Sequence, residues 1–521
     1  MFVLSKMAVV VSSGPIVLTA SCASEVSSRS NFVKSLLLLI FACLAIPQAF
    51  AACHAVSPSG SGSKTGADWN DALAGLPATL TRGDIYYLAD GVYGNHLSVT
   101  TALSGTTTIE LRKAQSYDNG SACGTSIAAG WNTATMGSAQ AIWRSTGSGS
   151  IVSLGTGGGY LIFNGNGNNA GTTEVGCGGV QANPPSTMTG AAPTPSACGI
   201  LLDDSTCTSA ATDGCDGGSG VINGGGNGIV WESVEWKGQG LNSSGNNDSE
   251  TYFWFASGGS LSGVSISHSY LHNASTTYFT VVSGGWNNGS FDHNYGWGVF
   301  DGSVNHGEAV QLQGSNGQTT KDVIHHNIFR DQQTNGDVVA VITGTQTYDF
   351  YDNADVCSAG GTSTSCRHND GVIGCFNSQT CSGVNVFNNT FSEPSNCGWN
   401  VTGGPSTMTV KNNLYFNCGS VGMSGGTNTV DYNSYLNSNQ GPVGAHDVSI
   451  ASGASNPFTS VSVGNVRLTV DGSNYNNRTS LGSPYDTLDL YGNAFTDDRG
   501  AAQFGGATPT PPINLIYTTV P

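Results

Sequence analysis

The chain has 521 residues, of which 74 are glycine and only 10% are charged. This composition is typical of a turn-rich all-β protein and argues against a helical one. The formal net charge of −18 argues against nucleic-acid binding and against docking on an anionic membrane. It also disfavours a polyanionic substrate, unless a local cluster of basic residues or bound calcium offsets the field.

Residues 1–51 are predicted to be a leader. Lys34 precedes an apolar run that ends in Ala49-Phe50-Ala51, a small-x-small pattern typical of a signal-peptide cleavage site. The apolar run is too short for a membrane-spanning helix, so no membrane span is expected. The mature protein is therefore predicted to be secreted or held at the surface of a bacterial cell, and lipidation at Cys53 is left open.

The mature chain opens with the segments ADWNDAL, RGDIYYLADGVY and TTIELRKA. They resemble the first coils of secreted right-handed parallel β-helix proteins, the pectate lyase-like superfamily, including its chondroitinase B and alginate lyase group. The segment SPYDTLDLYGNAFTDDRGAAQF, from Ser483, resembles the closing phrase of the same superfamily. The resemblance implies an all-β fold, a single-stranded right-handed parallel β-helix in residues 52–504, and residues 68–76 carry the helical periodicity expected of its N-terminal cap helix.

The resemblance also implies a polysaccharide partner. Because the superfamily includes lyases, hydrolases, epimerases, adhesins and phage tailspikes, it does not decide the activity. The protein is expected to be a monomer.

Three segments are predicted to depart from the coils. Residues 176–218 contain four prolines and four cysteines, and residues 345–381 contain four further cysteines, so both are predicted to be disulfide-tied loops. Such loops on a solenoid usually flank its binding face. Residues 505–521 are predicted to form a loosely packed tail.

Twelve cysteines remain once Cys22 and Cys43 are removed with the leader from the total of 14, and an even number in an exported chain predicts disulfides. Three pairs are suggested by local spacing, and a fourth by a separation of one coil, at which strands about 4.8 Å apart are within disulfide reach. The four pairs are Cys207–Cys215, Cys357–Cys366, Cys375–Cys381 and Cys397–Cys418.

One short phrase recurs between residues 264 and 436. Its copies are ISHSYLHN, FDHNYGWG, IHHNIFRD, VFNNTFSE, VKNNLYFN and VDYNSYLN, aligned on Ser269, Asn294, Asn327, Asn389, Asn413 and Asn433. The intervals between these anchors are 25, 33, 62, 24 and 20 residues. Alternating apolar and polar residues predict strands, and Asn predicts a bend, because its amide bonds to the backbone and it tolerates left-handed conformations. The phrase predicts a solenoid in which stacked Asn side chains can bond to one another.

A candidate catalytic pair follows from aligning VNHGEAVQLQG with QTNGDVVAVITG, which sets Glu308 on Asp337. The same alignment places Tyr278 one coil earlier and Trp399 on the later side as predicted substrate-binding aromatics. Two carboxylates about 4.8 Å apart beside aromatic residues could form a sugar-binding groove with an acid and a base. A calcium site and two solvated turn residues are the alternatives.

Basic residues near this pair in sequence are further candidates. His306, His325 and Arg330 could supply a proton shuttle and a cation, and Lys321 is a predicted substrate ligand. Lyases of the resembling group carry a Lys and an Arg on neighbouring coils, whereas Lys321 and Arg330 fall within one coil, so no catalytic residue is transferred from that group. A second set, His268, His293 and His326, directly precedes the anchors and is predicted to belong to the bend.

Three hypotheses follow. The protein is a polysaccharide-degrading enzyme, a lyase or a hydrolase, with Glu308 and Asp337 at its centre. Alternatively, it is a non-catalytic glycan-binding or adhesive surface protein, which its richness in Asn, Ser and Thr and its scarce Lys fit. Third, it is a structural solenoid stabilised by Ca²⁺, the one metal cofactor that the sequence suggests.

Overall fold

The computed structural model describes most of the chain after the leader. The described residues are 51–145, 150–154, 158–165, 177, 198–205, 222–224, 226–238, 251–256, 261–274, 277–282, 286–300, 308–313, 318, 320–333, 337–358, 371–375, 380–394, 396–401, 407–424, 427–439, 444–461, 464–472 and 474–504. Residues 1–50, and with them most of the predicted leader, lie outside this set, as does the tail 505–521.

Three long sheets run the length of the described chain, and every strand pairing within them is parallel. The first sheet has 14 strands. They are Cys53–Ser57, Leu73–Ala74, Ile85–Leu88, Ile109–Lys113, Leu161–Asn164, Val230–Glu232, Ser265–Ser267, Ser290–Asp292, Asp322–His325, Thr345–Gln346, Tyr348–Tyr351, Thr380–Phe387, Thr407–Lys411 and Thr427–Asp431.

The second sheet has 12 strands and the third has 10. The second contains Gly91–Gly94, Ala141–Arg144, Ile200–Asp203, Val234–Lys237, Tyr270–Ala274, Tyr295–Phe300, Ile328–Gln333, Ala354–Val356, Thr390–Ser392, Leu414–Phe416, Ser434–Leu436 and Val448–Ile450. The third contains Leu97–Val99, Val152–Leu154, Ile222–Gly224, Thr251–Ala256, Thr277–Val282, Val310–Gln313, Asp337–Thr343, Gly371–Cys375, Trp399–Val401 and Met423–Ser424.

The chain visits the first, second and third sheets in turn, and each strand pairs with its counterpart one coil later. This is the parallel β-helix that the sequence predicted. Parallel strands joined by such crossovers are right-handed in nearly all proteins, which fits the right-handed form. Two small sheets complete the strands: Leu261–Ser262 with Trp286–Asn287, and the antiparallel pair Phe458–Ser460 with Asn465–Leu468.

The core lies inside the coils, where inward side chains stack from one coil to the next. Phe291 stacks on Phe329, with ring centroids 6.2 Å apart. Further along, Phe391, Tyr415 and Tyr435 form a continuous stack with separations of 4.9 and 5.0 Å. Each coil therefore buries its apolar residues against its neighbours, as a solenoid requires.

The predicted anchors form a buried ladder at the bend between the first and second sheets. The main-chain N–H of each anchor donates to the side-chain oxygen of the next, as from Asn294 to Asn327 at 2.9 Å and from Asn389 to Asn413 at 2.9 Å. Their side-chain amides also bond to one another, as from Asn413 to Asn433 at 3.0 Å. The prediction of stacked and mutually bonded Asn side chains is confirmed.

The left-handed residue of each bend is the one before the anchor, not the anchor itself. His268, His293, His326, Asp352, Asn388, Asn412 and Tyr432 all have φ between 50° and 62°. The expectation that the anchor Asn takes this conformation was therefore wrong. The anchors are needed for their side-chain hydrogen bonds. Six of the seven residues before them are His, Asp or Asn, the types that adopt positive φ more readily than most, and Tyr432 is the exception.

The long interval between Asn327 and Asn389 contains a further coil. Asn353 continues the ladder, accepting from the N–H of Asn327 at 3.0 Å and donating its own N–H to Asn389 at 2.9 Å. Strands within residues 345–381 belong to all three sheets, so this segment is not simply a loop. In residues 176–218, likewise, Ile200–Asp203 is a strand of the second sheet.

The helical cap is shorter than expected. Within residues 68–76 there is one 3₁₀ turn, Trp69–Asp71, capped by Asp68, and it is followed by the strand Leu73–Ala74. The other described helix is the single α-helical turn Thr133–Met136. Among the described residues, no helix has the length and apolarity needed to cross a membrane.

Four disulfides join described cysteines, and two of them were predicted. Cys375–Cys381 and Cys397–Cys418 are present, and the latter links neighbouring coils. The other two are Cys53–Cys123 and Cys177–Cys198. Cys357 is also disulfide-bonded, while Cys207, Cys215 and Cys366 lie outside the described residues.

Candidate functional site

The predicted carboxylate pair lies on the third sheet. Val310 is in register with Val339, which places Glu308 beside Asp337 on the neighbouring coil, as the sequence alignment predicted. The two main chains are thus one strand spacing apart, about 4.8 Å. The side chain of Asp337 lies outside the described structure, so the distance between the carboxyl groups stays a prediction.

Glu308 is completely buried. Its Oε2 accepts a hydrogen bond from Nε2 of Gln311 at 3.0 Å, and its main-chain carbonyl accepts from the hydroxyl of Thr277. Val310, two residues later, is also completely buried. Glu308 is therefore not the solvated turn residue of the alternative interpretation, and a ligand confined to the surface would not touch its carboxyl.

The predicted aromatic partners are out of register with this pair. Phe279 is aligned with Val310, so Thr277 and not Tyr278 lies opposite Glu308. Trp399 is aligned with Ile373, and Ile373 with Val339, which puts Trp399 two residues away from the row of Asp337 and two coils later. The placement of both aromatics in the carboxylate row was wrong by one or two residues, because a loop insertion shifts the alignment.

Arg330 lies on the second sheet, away from the strand of Glu308. Only 2% of its side chain is exposed. Its Nε is 3.0 Å from a carboxylate oxygen of Asp331, and its guanidinium lies 5.9 Å from the ring centre of Trp297. The grouping of Arg330 with Glu308 in one site was wrong, because strands close in sequence here belong to different faces of the coil. His306 lies outside the described residues.

His325 lies on the first sheet, in a cluster of polar and aromatic side chains. Its ring stacks on Tyr351, with centroids 4.8 Å apart, and its Nδ1 lies 2.8 Å from Nδ1 of His326. Burial lowers the pKa of His325 to about 4, against a smaller opposing effect of Asp292. The ring is therefore neutral at pH 7, with one nitrogen able to donate a hydrogen bond and the other able to accept one.

Asp292 and His293 adjoin His325. Nδ1 of His293 is 2.9 Å from Oδ2 of Asp292. Burial raises the pKa of Asp292, but the hydrogen bond from His293 and the nearby imidazoles outweigh it and hold the pKa below its usual range. Asp292 is therefore ionised at neutral pH and is no candidate for a general acid.

Lys321 lies on the same face as His325. Its Nζ is 2.7 Å from Oδ1 of Asp349, and Oδ2 of Asp349 accepts from the hydroxyl of Tyr485 at 2.8 Å. The ring of Tyr485 meets that of Tyr351 edge-on at 5.1 Å, which completes the link to His325. We call Asp292, Lys321, His325, Asp349 and Tyr351 the first-sheet patch. The structure therefore joins two of the predicted residues, Lys321 and His325, on a face different from that of Glu308.

The histidines that precede the anchors are part of the bend, as predicted. His293 stacks between His268 and His326, with ring centroids 4.8 and 4.7 Å away. Nε2 of His326 lies 3.7 Å from the buried carboxyl of Asp352. Burial favours the uncharged form of both groups, because it raises the pKa of Asp352 and lowers that of His326. These residues build the bend.

The described part of the chain contains no arrangement of side chains that would bind a metal ion. Among those residues, no group of three or more His, Cys, Asp or Glu side chains is placed to hold an ion. Calcium binding remains a prediction from the sequence.

The comparisons with known proteins add little. No protein-family model and no curated protein matches the chain. A solved structure, the crystal structure of pectate lyase Pel9A, is similar over 87% of this chain and 96% of that chain, with a TM-score of 0.38 and 12% identity. A likeness this distant carries no argument about activity or substrate.

Sequence reasoning missed Asp349 and Tyr351, because the coil anchored on Asn353 was taken for a loop. The signal is present in YDFYDN, where Phe350 precedes Asn353 by three residues as Ile324 precedes Asn327. Alignment on Asn353 would have set Tyr351 on His325, the register that the structure shows.

Proposed function

We propose that this protein degrades a polysaccharide bound along the third sheet, with Glu308 and Asp337 as its acid and base. The observation that carries the proposal is the register that brings these two carboxyl residues to neighbouring coils. Within the ten described strands of the third sheet, Asp337 is the only acidic or basic residue, and Glu308 lies two residues before the strand Val310–Gln313. Paired carboxyl groups flanking a glycosidic bond are what its acid–base cleavage requires.

The burial of Glu308 has a definite chemical consequence. In general, burial favours the protonated form of a carboxyl group, the form that a general acid needs, whereas a hydrogen bond such as the one that Nε2 of Gln311 donates favours the ionised form. The amide of Gln311 then holds Oε2 in place. For the proton to reach a glycosidic oxygen, the carboxyl must come within hydrogen-bond distance of the substrate, so the proposal requires that glycan binding uncovers Glu308.

A second candidate function is glycan binding without turnover, and the first-sheet patch favours it. Lys321 and His325 both retain some exposure, and the half-buried Tyr485 adds aromatic surface, whereas Tyr351 beneath it is buried. However, Asp349 neutralises Lys321, and Nδ1 of His325 is engaged with His326. Such a surface can hydrogen-bond and stack on sugars but holds no free acid–base pair among its five members.

The two functions are separated by incubation with a panel of polysaccharides. Reducing ends report hydrolysis, and ultraviolet absorbance of unsaturated uronates reports elimination. We expect Glu308→Gln, which keeps the shape and the contact with Gln311, to lower turnover by about 10²-fold or more without weakening glycan binding. Glu393→Gln, a similar change at a half-buried bend residue on another face, is the matched control.

Full turnover by Glu308→Gln would disprove its catalytic role. Glycan binding without turnover by the wild type would favour the second function, and loss of that binding in Lys321→Ala and His325→Ala would assign it to the first-sheet patch.

A further inference from the structure

A pocket of about 570 Å³ opens at the N-terminal end of the third sheet. It is lined by Pro58, by residues 74–78 and by side chains that include Tyr93, Ser98 and Trp143. Ser98 is exposed on the first strand of the sheet, whereas its neighbours Leu97 and Val99 are buried. The pocket therefore continues directly into the outer face of the sheet.

The lining of this pocket combines aromatic and neutral polar groups. The ring of Tyr93 stacks on that of Trp143, with centroids 5.1 Å apart, and its hydroxyl donates to the carbonyl of Val56. The ring is thereby fixed at a defined angle. Nδ1 of His96 lies 2.7 Å from the carbonyl oxygen of Ser150, which can only accept, so Nδ1 carries the hydrogen. In the neutral ring, Nε2 is then left as an acceptor.

No lysine, arginine, aspartate or glutamate is among the described residues that line the pocket. The half-buried ring of Tyr93, held in place by the buried Trp143, lies beside hydroxyl groups and one imidazole acceptor, which suits a ligand with apolar C–H faces and hydroxyl donors. Sugar rings have both, and the volume lies in the range of small-molecule sites. A carboxylated sugar would find no cation here to pair with.

The same neutrality extends along the sheet. Ser98 begins a row of ten positions that strand register aligns across all ten coils: Ser98, Ser153, Asn223, Trp254, Thr280, Gln311, Ala340, Gly374, Asn400 and Ser424. None of them is charged. An equivalent row of the first sheet, which contains Asp292 and His325, also includes Arg112, Glu232, Lys411 and Asp431. The absence of charge is therefore a property of this row of the third sheet, which excludes Asp337, and is not shared by the equivalent row of the first sheet.

We propose that the pocket beside Tyr93 and Ser98 binds the end of an uncharged glycan whose chain continues along the third sheet towards Glu308. This inference rests on the proposed function and names its substrate class. The strand of Glu308 is five strands from that of Ser98, or about 24 Å at about 4.8 Å each. A chain held by its end in the pocket would thus present one particular linkage to the carboxylate pair.

An uncharged substrate also selects the reaction. Elimination needs a carboxylate beside the carbon that loses its proton, and a neutral sugar has none. Cleavage is then hydrolysis: the base takes a proton from water, whose hydroxyl group adds to the anomeric carbon, the glycosidic bond breaks, and the departing oxygen takes a proton from the acid. The products are two chains with no new double bond, and the released piece has a narrow range of lengths.

The test compares binding of neutral and charged oligosaccharides by titration calorimetry. Cello-, manno- and xylo-oligosaccharides are the neutral probes, and oligogalacturonates and oligomannuronates are the charged ones. Ser98 and Ala78 line the pocket at exposed positions of two different segments, so Ser98→Phe and Ala78→Phe each place a bulky side chain in it. We expect each to weaken binding of a neutral probe about tenfold or more. Thr409→Phe, at a half-buried position on the outer face of the first sheet, is the matched control and should bind as the wild type does.

The outcomes separate this inference from the proposed function. Preferential binding of uronates by the wild type, or unchanged binding of neutral probes by both pocket variants, overturns the inference. If Glu308→Gln nevertheless loses turnover, the proposed function stands without the pocket. If the wild type binds neither class, both fail. Circular dichroism of each variant checks that it folds. If Ser98→Phe does not fold, Ala78→Phe still tests the inference, because Ala78 lies outside the sheet.

Discussion

Replacement of Asn353 by alanine should measure what the anchor ladder contributes to stability. The side chain of Asn353 is fully buried. Its Nδ2 donates to the carbonyl of Ile324 at 2.9 Å and to Oδ1 of Asn389 at 3.1 Å. Its Oδ1 accepts from both the N–H and the Nδ2 of Asn327 at 3.0 Å. Alanine removes all of these bonds at once.

The expected loss of stability depends on which hydrogen bonds the partners of Asn353 keep after the substitution. Nδ2 of Asn327 still donates to the carbonyl of Phe291, and Oδ1 of Asn389 still accepts from the N–H of residue 353. The N–H of Asn327, by contrast, loses its side-chain acceptor inside the coil. An unsatisfied buried donor costs about 1–3 kcal/mol, and each further lost bond costs about 1 kcal/mol. Asn353→Ala loses four bonds, of which one leaves a buried donor unsatisfied, so we expect the free energy of unfolding to fall by about 4–6 kcal/mol.

The assay is urea unfolding followed by far-ultraviolet circular dichroism, with the disulfides kept oxidised. The matched control is Asn439→Ala, because Asn439 is exposed and its side chain makes one bond, to the carbonyl of Gly419 at 2.8 Å. Its loss should stay within about 0.5 kcal/mol. A loss below about 1 kcal/mol for Asn353→Ala, or one equal to that of the control, would refute the view that buried anchors hold neighbouring coils together.

Three further predictions concern charge and cross-linking. Burial raises the pKa of Asp322 to about 7, above its unfolded value, so its contribution to stability is present at acid pH and is lost as pH rises from about 4 to 7. Asp322→Asn should therefore make the free energy of unfolding fall less steeply between about pH 4 and 7, by up to about 1.4 kcal/mol per pH unit, and an unchanged slope would contradict this. Burial lowers the pKa of His325 to about 4, so the stability that its neutral ring contributes is lost as pH falls from about 6.5 towards 4. The NMR signals of this imidazole should not titrate between pH 5 and 8. A titration midpoint near 6.5 would show that the ring is solvated. Replacing Cys397 and Cys418 by alanine removes a disulfide between residues 21 positions apart and should lower the free energy of unfolding by about 3 kcal/mol in the same assay. The double variant at Cys375 and Cys381, which are 6 positions apart, should lower it by less. Equal losses would count against the loop-length argument.

The sequence alone was sufficient for the repeat and for the pairing of neighbouring coils. Asn at the anchor and apolar residues around it recur because every coil must satisfy the same buried bend and fill the same interior. Local register follows from this periodicity, which is why the alignment of Glu308 with Asp337 and the disulfide Cys397–Cys418 could be predicted.

Where an insertion interrupts the period, the sequence signal fails. The coil of Asn353 was taken for a loop, and Tyr278 and Trp399 were misplaced by one or two residues. A one-residue error in register moves a strand residue to the opposite face of the sheet, so small alignment errors become wrong sites.

Only the tertiary structure decided which residues share a face and which are covered. Residues close in sequence, such as Lys321 and Arg330, lie on different sheets, because each coil turns through all three. The C-terminal segment lies over the bend, where His326 contacts the carbonyl of Leu488 and Asn388 contacts that of Tyr485. Burial of this kind depends on contacts between residues about a hundred or more positions apart, which the local periodicity of a sequence does not record.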